Sequence, residues 1–268
     1  MDPSAERAPA SDRPPRTRPR AVDWLVTPPF LLGFGATLLV FDPLQRIARL
    51  FGQRPQEYVA GALQWVLVRV FALAGTRLLV ERDPRVESWR PYLVIANHQS
   101  MFDIPIFGAL LFSNFPKYVS KRELAKGIPS ISYNLRRGGN ALIDRDDRAG
   151  ATRAIRELAA QVRERGVTAV IYPEGTRARA GRLGAFKPAG ALALLDEAPE
   201  VPVVPVAIDE SWRLLRFNLL PIPFGVRVRV WIGTPLERRP GEDRRGILED
   251  ARKQIEQTLE RWRAETSG

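Results

Sequence analysis

The sequence predicts an α/β fold preceded by an apolar helical hairpin, and two features of the chain carry this prediction. Beyond residue 81, short runs of aliphatic residues alternate with stretches of helical periodicity, which is typical of an α/β domain. Before that point, residues 24–41 and 58–68 contain no charged side chain. The chain therefore divides into three predicted parts, which are an arm at 1–22, a membrane-associating helical segment at 23–80 and an α/β domain at 81–268.

The composition of the chain limits the chemistry that it can support. The chain has 268 residues, no cysteine and a single histidine, His98. Disulfides, cysteine-ligated metals and histidine-rich metal sites are therefore excluded. With 41 Lys and Arg against 30 Asp and Glu, the formal net charge is +11. Such a surface favours anionic partners, which include nucleic acid, acidic lipid headgroups and phosphorylated substrates.

The first 22 residues have the composition of a disordered arm. Residues 1–20 contain five prolines, five arginines and almost no large apolar side chain. Such a segment cannot bury enough apolar surface to offset the entropy of ordering, so we predict that it is disordered. It also lacks the order of a secretory signal, in which a basic region precedes an apolar run and a small-residue cleavage site.

The segment 23–80 has the pattern of two or three helices that associate with a membrane. We expect one helix to begin at Pro28, with Thr27 as its N-cap, and another to begin at Asp42. A further long helix is expected over 55–80. We favour helices that lie in one leaflet with arginines among the headgroups. A transmembrane hairpin and a buried helical subdomain are the alternatives.

Six short apolar runs are predicted to be strands of the α/β domain. They cover residues 92–96, 117–120, 141–144, 167–172, 203–208 and 226–232. The last run alternates Val and Arg, which is typical of an edge strand or a half-exposed strand. Helical patterns cover 104–111, 149–165 and 243–265. Ser120 and Glu123 also form the pattern of a capping box, which predicts another helix after the second strand.

The most informative stretch is the heptapeptide from Asn97 to Asp103, which contains the single histidine. It follows the predicted strand 92–96 and precedes an apolar helical run. Residues five apart point in different directions on a regular helix or strand, so His98 and Asp103 can meet only if the chain bends between them. In that geometry the carboxylate would fix one tautomer of the imidazole and stabilise the imidazolium. The alternative is a buried structural histidine beside a helix-capping Asp.

Two further strand ends carry polar side chains. The predicted strand 141–144 is followed by Arg145, and the strand 167–172 is followed by Pro173-Glu174-Gly175-Thr176-Arg177. Ligands of α/β sheets collect at the carboxyl ends of the strands. There a glycine lets the backbone approach an anion, a threonine offers a hydroxyl and an arginine offers a planar fork for phosphate. Each of these patterns alone also fits an ordinary surface turn.

Taken together in this order, the segments resemble the four blocks of the glycerolipid acyltransferase family. They are His98-x4-Asp103, Gly139 to Arg145, Glu174 to Arg177 and the Val-Pro-Val-Val-Pro run at 201–205. The branch that they look most like is the bacterial 1-acyl-sn-glycerol-3-phosphate (lysophosphatidate) acyltransferases, over about residues 88–236. The resemblance implies a mixed, largely parallel central sheet flanked by helices. The sequence departs from the family pattern at Leu142, where Phe is common, and in the spacing of Phe186-Lys187-Pro188-Ala189-Gly190.

The resemblance also implies roles for individual residues. His98 would be the general base on the acceptor hydroxyl, and Asp103 would orient it. Pro205 would shape the acyl pocket. The acceptor phosphate would be held by residues from three strand ends, which are Lys121, Arg145, Glu174, Gly175, Thr176 and Arg177. Within this set, Glu174 would orient the cations or a glycerol hydroxyl.

The implied reaction moves a fatty acyl group from acyl-CoA or acyl carrier protein to 1-acyl-glycerol-3-phosphate, forming phosphatidic acid in phospholipid biosynthesis. It requires no metal and no bound cofactor, because the acyl donor is a co-substrate. We expect the protein on the phospholipid bilayer of the inner membrane, at its cytoplasmic face. No aromatic-and-basic stacking motif accompanies the positive charge, so we expect no nucleic-acid partner. Another lysolipid acceptor and a non-catalytic membrane lipid-binding role are the alternatives.

Overall fold

The computed structural model describes residues 18–144, 146–178 and 181–267. Within these ranges the chain forms one seven-stranded sheet and seven α-helices. The strands are β1 (Arg77–Arg82), β2 (Leu93–Ala96), β3 (Pro116–Lys121), β4 (Ala141–Ile143), β5 (Thr168–Ile171), β6 (Val203–Asp209) and β7 (Arg227–Ile232). The helices are α1 (Ala21–Leu50), α2 (Gln53–Val70), α3 (Asp103–Leu110), α4 (Ile131–Arg137), α5 (Arg148–Arg165), α6 (Pro188–Glu197) and α7 (Arg244–Ser267). Residues 1–17 of the predicted disordered arm lie outside the described residues, and Ala21 already begins α1.

The sheet is mixed and largely parallel, as the sequence analysis predicted. The strand order is β1-β7-β6-β2-β5-β3-β4. β6 and β7 pair antiparallel, and each of the other neighbouring pairs is parallel. Because β2 lies between β5 and β6, the residue after β2 sits near the middle of the carboxyl edge of the sheet.

A layer of helices covers each face of the sheet. Along β2, Leu93 and Ile95 pack on the face that α5, α6 and α7 cover, whereas Val94 and Ala96 pack toward α1, α2 and α3. All four side chains are fully buried, which is the pattern of a parallel strand covered on both sides. β2 is therefore a rigid base for the loop that follows it.

α1 is one continuous helix, whereas the sequence predicted a start at Pro28 and another at Asp42. The hydroxyl of Thr27, which was expected to cap a helix, donates to the carbonyl oxygen of Asp23 at 2.6 Å. The same hydroxyl accepts from the backbone N–H of Ile222 at 2.8 Å. Thr27 therefore joins the middle of a helical turn to the loop before β7, and this tertiary contact supports helix on both sides of Pro28.

Asp42 begins no helix because its carboxylate has two other partners. One oxygen accepts from the backbone N–H of Ser130 at 2.7 Å, and the other accepts from Nε of Arg46 at 2.7 Å. Asp42 thus links α1 to the segment before α4. Pro43 still lacks an N–H group to donate, so the packing of α1 against its neighbours outweighs the loss of that helical hydrogen bond.

Two further predictions were wrong in detail, and a third was right in one of its two forms. Residues 77–80 were expected to be helical, but the helical segment ends before Gly75, whose φ of +65° reverses the chain into β1. Residues 226–232 were expected to form a half-exposed or an edge strand, and β7 is half-exposed but lies between β1 and β6. Ser120 lies inside β3 and caps no α-helix, because Arg122–Ala125 forms only a short 3₁₀ turn. α4 and α6 are additional to the predicted helices.

α1 presents apolar side chains to the outside of the molecule. α1 and the stretch Gln53–Ala74 are each long and apolar enough to cross a membrane, by length and composition. Leu25, Leu32 and Leu39 are between 64% and 75% exposed, and their spacing of seven places them on one face of the helix. Phe30, by contrast, is almost completely buried on the inward side. The two apolar helices are consistent with association with a membrane.

A buried ionic cluster fastens α2 to the sheet. Glu57 of α2 lies 3.0 Å from Nζ of Lys117 in β3, 2.6 Å from Arg165 of α5 and 3.2 Å from Arg54. Both Glu57 and Lys117 are 4% exposed. Burial lowers the pKa of Lys117 to about 8, and the adjacent Glu57 carboxylate opposes that shift. The apolar hairpin and the sheet therefore share ionic as well as apolar contacts.

Candidate active site

The loop between β2 and α3 places His98 at the carboxyl edge of the sheet. Its first residue, Asn97, is almost completely buried and exchanges two hydrogen bonds of 2.8 Å with the backbone of Ile208 in β6. This pairing holds the ends of two neighbouring strands together. The chain then turns, and α3 begins at Asp103. The bend that the sequence predicted between His98 and Asp103 is therefore present.

Asp103 is fully buried and accepts hydrogen bonds at both carboxylate oxygens. Oδ2 lies 2.8 Å from Nδ1 of His98 and also accepts from the backbone N–H groups of Gln99 and Ser100, at 2.7 and 2.9 Å. Oδ1 accepts from the hydroxyl of Ser211 at 2.6 Å. These donors fix the carboxylate in one position. When Nδ1–H donates to Asp103, Nε2 of His98 carries the lone pair that a general base needs.

Two aromatic rings support the imidazole. Tyr172, the residue after β5, stacks on His98 with ring centroids 4.1 Å apart and planes 20° apart. Phe107 of α3 stacks on Tyr172 in turn, with centroids 6.2 Å apart. Burial raises the pKa of Tyr172 well above 10, and its hydroxyl has no hydrogen-bond partner in the described part of the chain. The side chain of His98 is 16% exposed, so the ring is held firmly but remains accessible.

The segment after β5 wraps around the backbone of His98. Glu174 is 4% exposed, and its Oε1 accepts from the N–H of His98 at 2.8 Å while its Oε2 accepts from the N–H of Gly184 at 2.7 Å. The N–H of Ala178 donates to the carbonyl oxygen of His98 at 2.6 Å. Burial raises the pKa of Glu174, and the two N–H donors oppose that shift. The carboxylate thus binds backbone N–H groups, where the resemblance implied cations or a glycerol hydroxyl.

The turn Gly175–Arg177 lies between the two residues that bind the backbone of His98. Gly175 has a φ of +67°, a left-handed conformation that glycine adopts without strain. A Cβ atom at this position would lie 3.8 Å from Nζ of Lys187, so this ammonium group lies close to the turn. Thr176 and Arg177 are exposed. The turn therefore presents a hydroxyl and cationic groups beside His98, which suits an anionic ligand.

The other predicted site residues differ in how close they lie to this edge. Lys121 ends β3, which neighbours β5, so it shares the carboxyl edge with the Gly175–Arg177 turn. Arg145 lies outside the described residues. Pro205 is buried inside β6 opposite Ile95 of β2, four residues before the end of its strand. The structure thus brings Lys121 to the edge and leaves Pro205 within the sheet.

The sequence analysis missed three residues that support the site. Ser211 lies 108 residues beyond Asp103 in the chain. No local sequence pattern predicts its contact with Asp103, because that contact depends on β6 being the neighbour of β2. Tyr172 was predicted only as the last residue of the apolar strand 167–172, so its contact with His98 was not expected. Lys187 lies in the segment 186–190, which was compared with the family pattern, but the sequence analysis assigned no role to its ammonium group.

The arrangement of these groups is suited to general-base chemistry on a hydroxyl. Nε2 of His98 can take a proton, and the buried Asp103 carboxylate stabilises the resulting imidazolium. The Gly175–Arg177 turn can hold an anionic group next to that hydroxyl. Among the described residues, no group of three or more His, Asp and Glu side chains is placed to hold a metal ion.

Known proteins share this fold and this sequence pattern. The 1-acyl-sn-glycerol-3-phosphate acyltransferase of Escherichia coli (strain K12) is 29% identical over 171 residues, which are 64% of this chain and 68% of that protein. The protein of the same name from Limnanthes douglasii is 35% identical over 188 residues, covering 68% of this chain and 60% of its own. The crystal structure of the 1-acyl-sn-glycerophosphate (LPA) acyltransferase PlsC from Thermotoga maritima has a TM-score of 0.73 at 22% identity, covering 90% of this chain and 96% of that one.

The family to which the chain belongs follows from the segment that carries the site. A family model described as Acyltransferase matches residues 77–209. This segment begins with β1 and ends with β6. It contains the His98–Asp103 pair, Lys121 and the Gly175–Arg177 turn. With the relatives above, this match establishes that the chain belongs to the acyltransferase family.

Proposed function

We propose that this acyltransferase moves a fatty acyl group from acyl-CoA or acyl carrier protein to the free hydroxyl of 1-acyl-glycerol-3-phosphate, forming phosphatidic acid. The observation that carries the proposal is the His98–Asp103 pair, 2.8 Å apart, beside the Gly175–Arg177 turn. A general base next to an anion-binding turn suits an acceptor whose hydroxyl and phosphate are a few bonds apart. The names of the curated relatives support the same acceptor.

In the proposed mechanism, Nε2 of His98 takes the proton of the acceptor hydroxyl while the hydroxyl oxygen attacks the thioester carbonyl carbon. The tetrahedral intermediate then expels the thiolate, which receives the proton from the imidazolium. An ester and a thiol result, and no bond forms between the acyl group and the protein. Asp103 stabilises the imidazolium between the two steps. Tyr172 and the hydrogen bonds to the backbone of His98 hold the ring in position.

The acceptor phosphate is proposed to bind at Lys121, Arg145 and the Gly175–Arg177 turn. A guanidinium such as that of Arg177 can donate two parallel hydrogen bonds to a phosphate, which an ammonium cannot reproduce. Glu174 contributes to this site indirectly, because it holds the backbone of His98. The role of Pro205 as a wall of the acyl pocket stays a prediction.

We also propose that the enzyme works at the cytoplasmic face of the inner membrane. The exposed apolar face of α1 supports binding to a phospholipid bilayer. The proposed acceptor is an amphiphile of that bilayer, whereas both proposed donors are delivered from the aqueous side.

The direct test is a panel of acceptors assayed with the full-length protein in detergent. The panel contains lysolipids with and without a terminal phosphate, each offered with acyl-CoA and with acyl carrier protein as donor. We expect 1-acyl-glycerol-3-phosphate to have the highest kcat/KM. His98→Ala should lower turnover roughly 10²–10⁴-fold with an unchanged melting temperature. Near-normal turnover by well-folded His98→Ala protein would contradict the assignment.

The phosphate contact has its own test in Arg177→Ala. The loss of a charged hydrogen bond is about 1.5–3 kcal/mol, so the acceptor kcat/KM should fall roughly 10- to 150-fold while the donor KM stays unchanged. Arg239→Ala is the matched control, because Arg239 is also exposed but follows β7 at the opposite edge of the sheet. An equal loss for both substrates with a lower melting temperature would mean that Arg177 only braces the turn.

A further inference from the structure

A basic cavity of about 820 Å³ opens at the same edge of the sheet, and we call it the β6–β7 cavity. Its walls come from the end of β6, the loop into β7, the start of α1 and the end of α7. Among the described residues, seven arginines and three carboxylates line it. Phe217, Phe224 and Trp262 add aromatic surface. The volume lies within the range of about 300–1,000 Å³ that is usual for small-molecule sites.

The β6–β7 cavity and the Gly175–Arg177 turn lie on opposite sides of His98. The turn follows β5 and the cavity adjoins β6, and β2, which leads to His98, lies between these two strands. The wall of the cavity also contacts the loop that carries His98. Oδ1 of Asp209 in its wall accepts from Nε2 of Gln99 at 3.0 Å, and Gln99 is the residue after His98.

One arginine of this cavity, Arg227, faces a like charge on the neighbouring strand, just outside the cavity. Arg227 begins β7 and is in register with Arg77 of the neighbouring strand β1, and both side chains are exposed. Like charges directly opposite on neighbouring strands repel each other. Arg227 has no ion pair or side-chain hydrogen bond in the part of the chain that the structure describes. A multiply charged anion bound there would relieve this repulsion.

We propose that the β6–β7 cavity binds the phosphorylated adenosine end of a coenzyme A thioester. The inference rests on the proposed function, in which two substrates must meet at His98. If the acceptor phosphate occupies the β5 side, the donor has to approach from the β6 side. Coenzyme A carries three phosphate groups and a purine, which suit guanidinium forks and aromatic faces. Its flexible, uncharged pantetheine arm then extends from the cavity past Gln99 to the base.

An acyl carrier protein fits the cavity less well than a nucleotide does. A carrier protein would dock on a broad surface, and its prosthetic arm carries a single phosphodiester. The β6–β7 cavity is concave and combines several cations with aromatic walls within one small volume. These properties favour a compact, multiply charged ligand.

The test uses the full-length protein in detergent, with Arg227→Ala and the matched control Arg239→Ala. Adenosine 3′,5′-bisphosphate is the probe for the cavity, because it keeps the charged nucleotide end and lacks the thioester. Calorimetry should give the same Kd of the probe for the unchanged protein and for Arg239→Ala. The Kd for Arg227→Ala should be at least tenfold higher. The KM for acyl-CoA should rise about tenfold in Arg227→Ala, with the KM for the lysolipid acceptor unchanged. The KM for S-acyl-pantetheine, which lacks the nucleotide, should be the same in all three proteins.

Several results would overturn the proposal. The first is that the bisphosphate does not bind the unchanged protein. The second is that Arg227→Ala raises the KM for S-acyl-pantetheine as much as the KM for acyl-CoA. The third is that Arg227→Ala raises only the KM for acyl carrier protein. Weaker binding of Arg227→Ala to anionic vesicles, with unchanged affinity for the bisphosphate, would instead assign the cavity to lipid headgroups. Because calorimetry requires no turnover, binding that depends on Arg227 in a protein that acylates no lysolipid would refute the proposed function and not the cavity. Acyl transfer by a protein that does not bind the bisphosphate would refute the cavity and not the proposed function.

Discussion

Replacing Asp103 by asparagine separates the charge of this side chain from its hydrogen bonds. In the native site, Nδ1 of His98, two backbone N–H groups and the hydroxyl of Ser211 converge on the two carboxylate oxygens within 2.6–2.9 Å. An asparagine can keep its oxygen toward the three nitrogen donors and turn its NH₂ group toward Ser211. The hydroxyl of Ser211 can then rotate to accept instead of donate. The geometry survives, but the negative charge that stabilises the imidazolium is lost.

We therefore expect the cost of Asp103→Asn to appear in turnover. Proton abstraction by a positioned base contributes roughly 10²–10⁴-fold, and loss of the carboxylate partner of a catalytic histidine costs about 10⁴ in hydrolases. We expect kcat to fall by roughly 10²–10⁴, or about 3–5 kcal/mol of activation free energy. Asp103→Ala is a poorer test, because it leaves three buried donors without a partner at about 1–3 kcal/mol each. That loss approaches the whole stability of a domain, about 5–15 kcal/mol.

The assay measures kcat, both KM values and the melting temperature of the full-length protein in detergent. Ser211→Ala is the matched variant, since it removes one hydrogen bond from the same carboxylate and leaves the charge in place. We expect it to lower kcat less than about tenfold. If Asp103→Asn protein turned over within about threefold of the native rate, the carboxylate would serve to hold the loop and the proposed mechanism would be wrong.

Three other perturbations test the surroundings of the site. Tyr172→Phe removes a buried hydroxyl that has no partner among the described residues, so a denaturant melt should show a free energy of unfolding higher by about 1–2 kcal/mol at unchanged kcat. Glu174→Gln turns one of two acceptors for backbone N–H groups into a donor, so steady-state kinetics should show kcat lowered about ten- to hundredfold with both KM values retained. Glu57→Gln leaves Lys117 as an unpaired buried cation and should lower the free energy of unfolding by about 3–5 kcal/mol. Glu237→Gln, which removes the exposed ion pair with Arg90, is the control and should lower it by less than about 1 kcal/mol. Because burial lowers the pKa of Lys117 to about 8, the unfolded chain holds that proton more tightly than the native chain. The free energy of unfolding should therefore rise from pH 8 to 10.5, and melts of Lys117→Met protein should lack this slope.

The sequence predicted those parts of the site that depend on local order along the chain. A buried apolar run and an apolar helix flank the heptapeptide in the sequence, so the possibility that a bend brings His98 to Asp103 could be predicted from local chain geometry. The turn at Gly175 is likewise local, because it directly follows a buried strand. Parallel strands place both at one edge of the sheet, and that rule requires no knowledge of the strand order.

The sequence did not predict features that depend on the order of the strands or on tertiary packing. Ser211 reaches Asp103 only because β6 is the neighbour of β2. The alternation of Val and Arg in β7 fits both an edge strand and a half-exposed strand, and only the pairing with β1, whose residues 77–80 were expected to be helical, decides for the second. The sequence at Asp42 and Pro43 predicted the start of a helix, but contacts of α1 with the rest of the fold keep the helix continuous. In each case a contact between distant segments overrides the local propensity.

The apolar hairpin supports the loop that carries His98 and also forms part of the outer surface. Phe102, the residue before Asp103, packs its ring against Phe71 with centroids 5.1 Å apart and against Phe34 and Phe30 at 6.0 and 6.3 Å. Phe30 and Phe34 belong to α1, whose opposite face is exposed and apolar. The same helix pair is tied to the sheet through the buried carboxylate of Glu57. α1 therefore presents an apolar face to the outside and supports the loop of His98 on its other side, so binding of that face to a bilayer would fix the orientation of the carboxyl edge. This coupling would suit the proposed function, in which the acceptor lies in the bilayer and the donor arrives from the water.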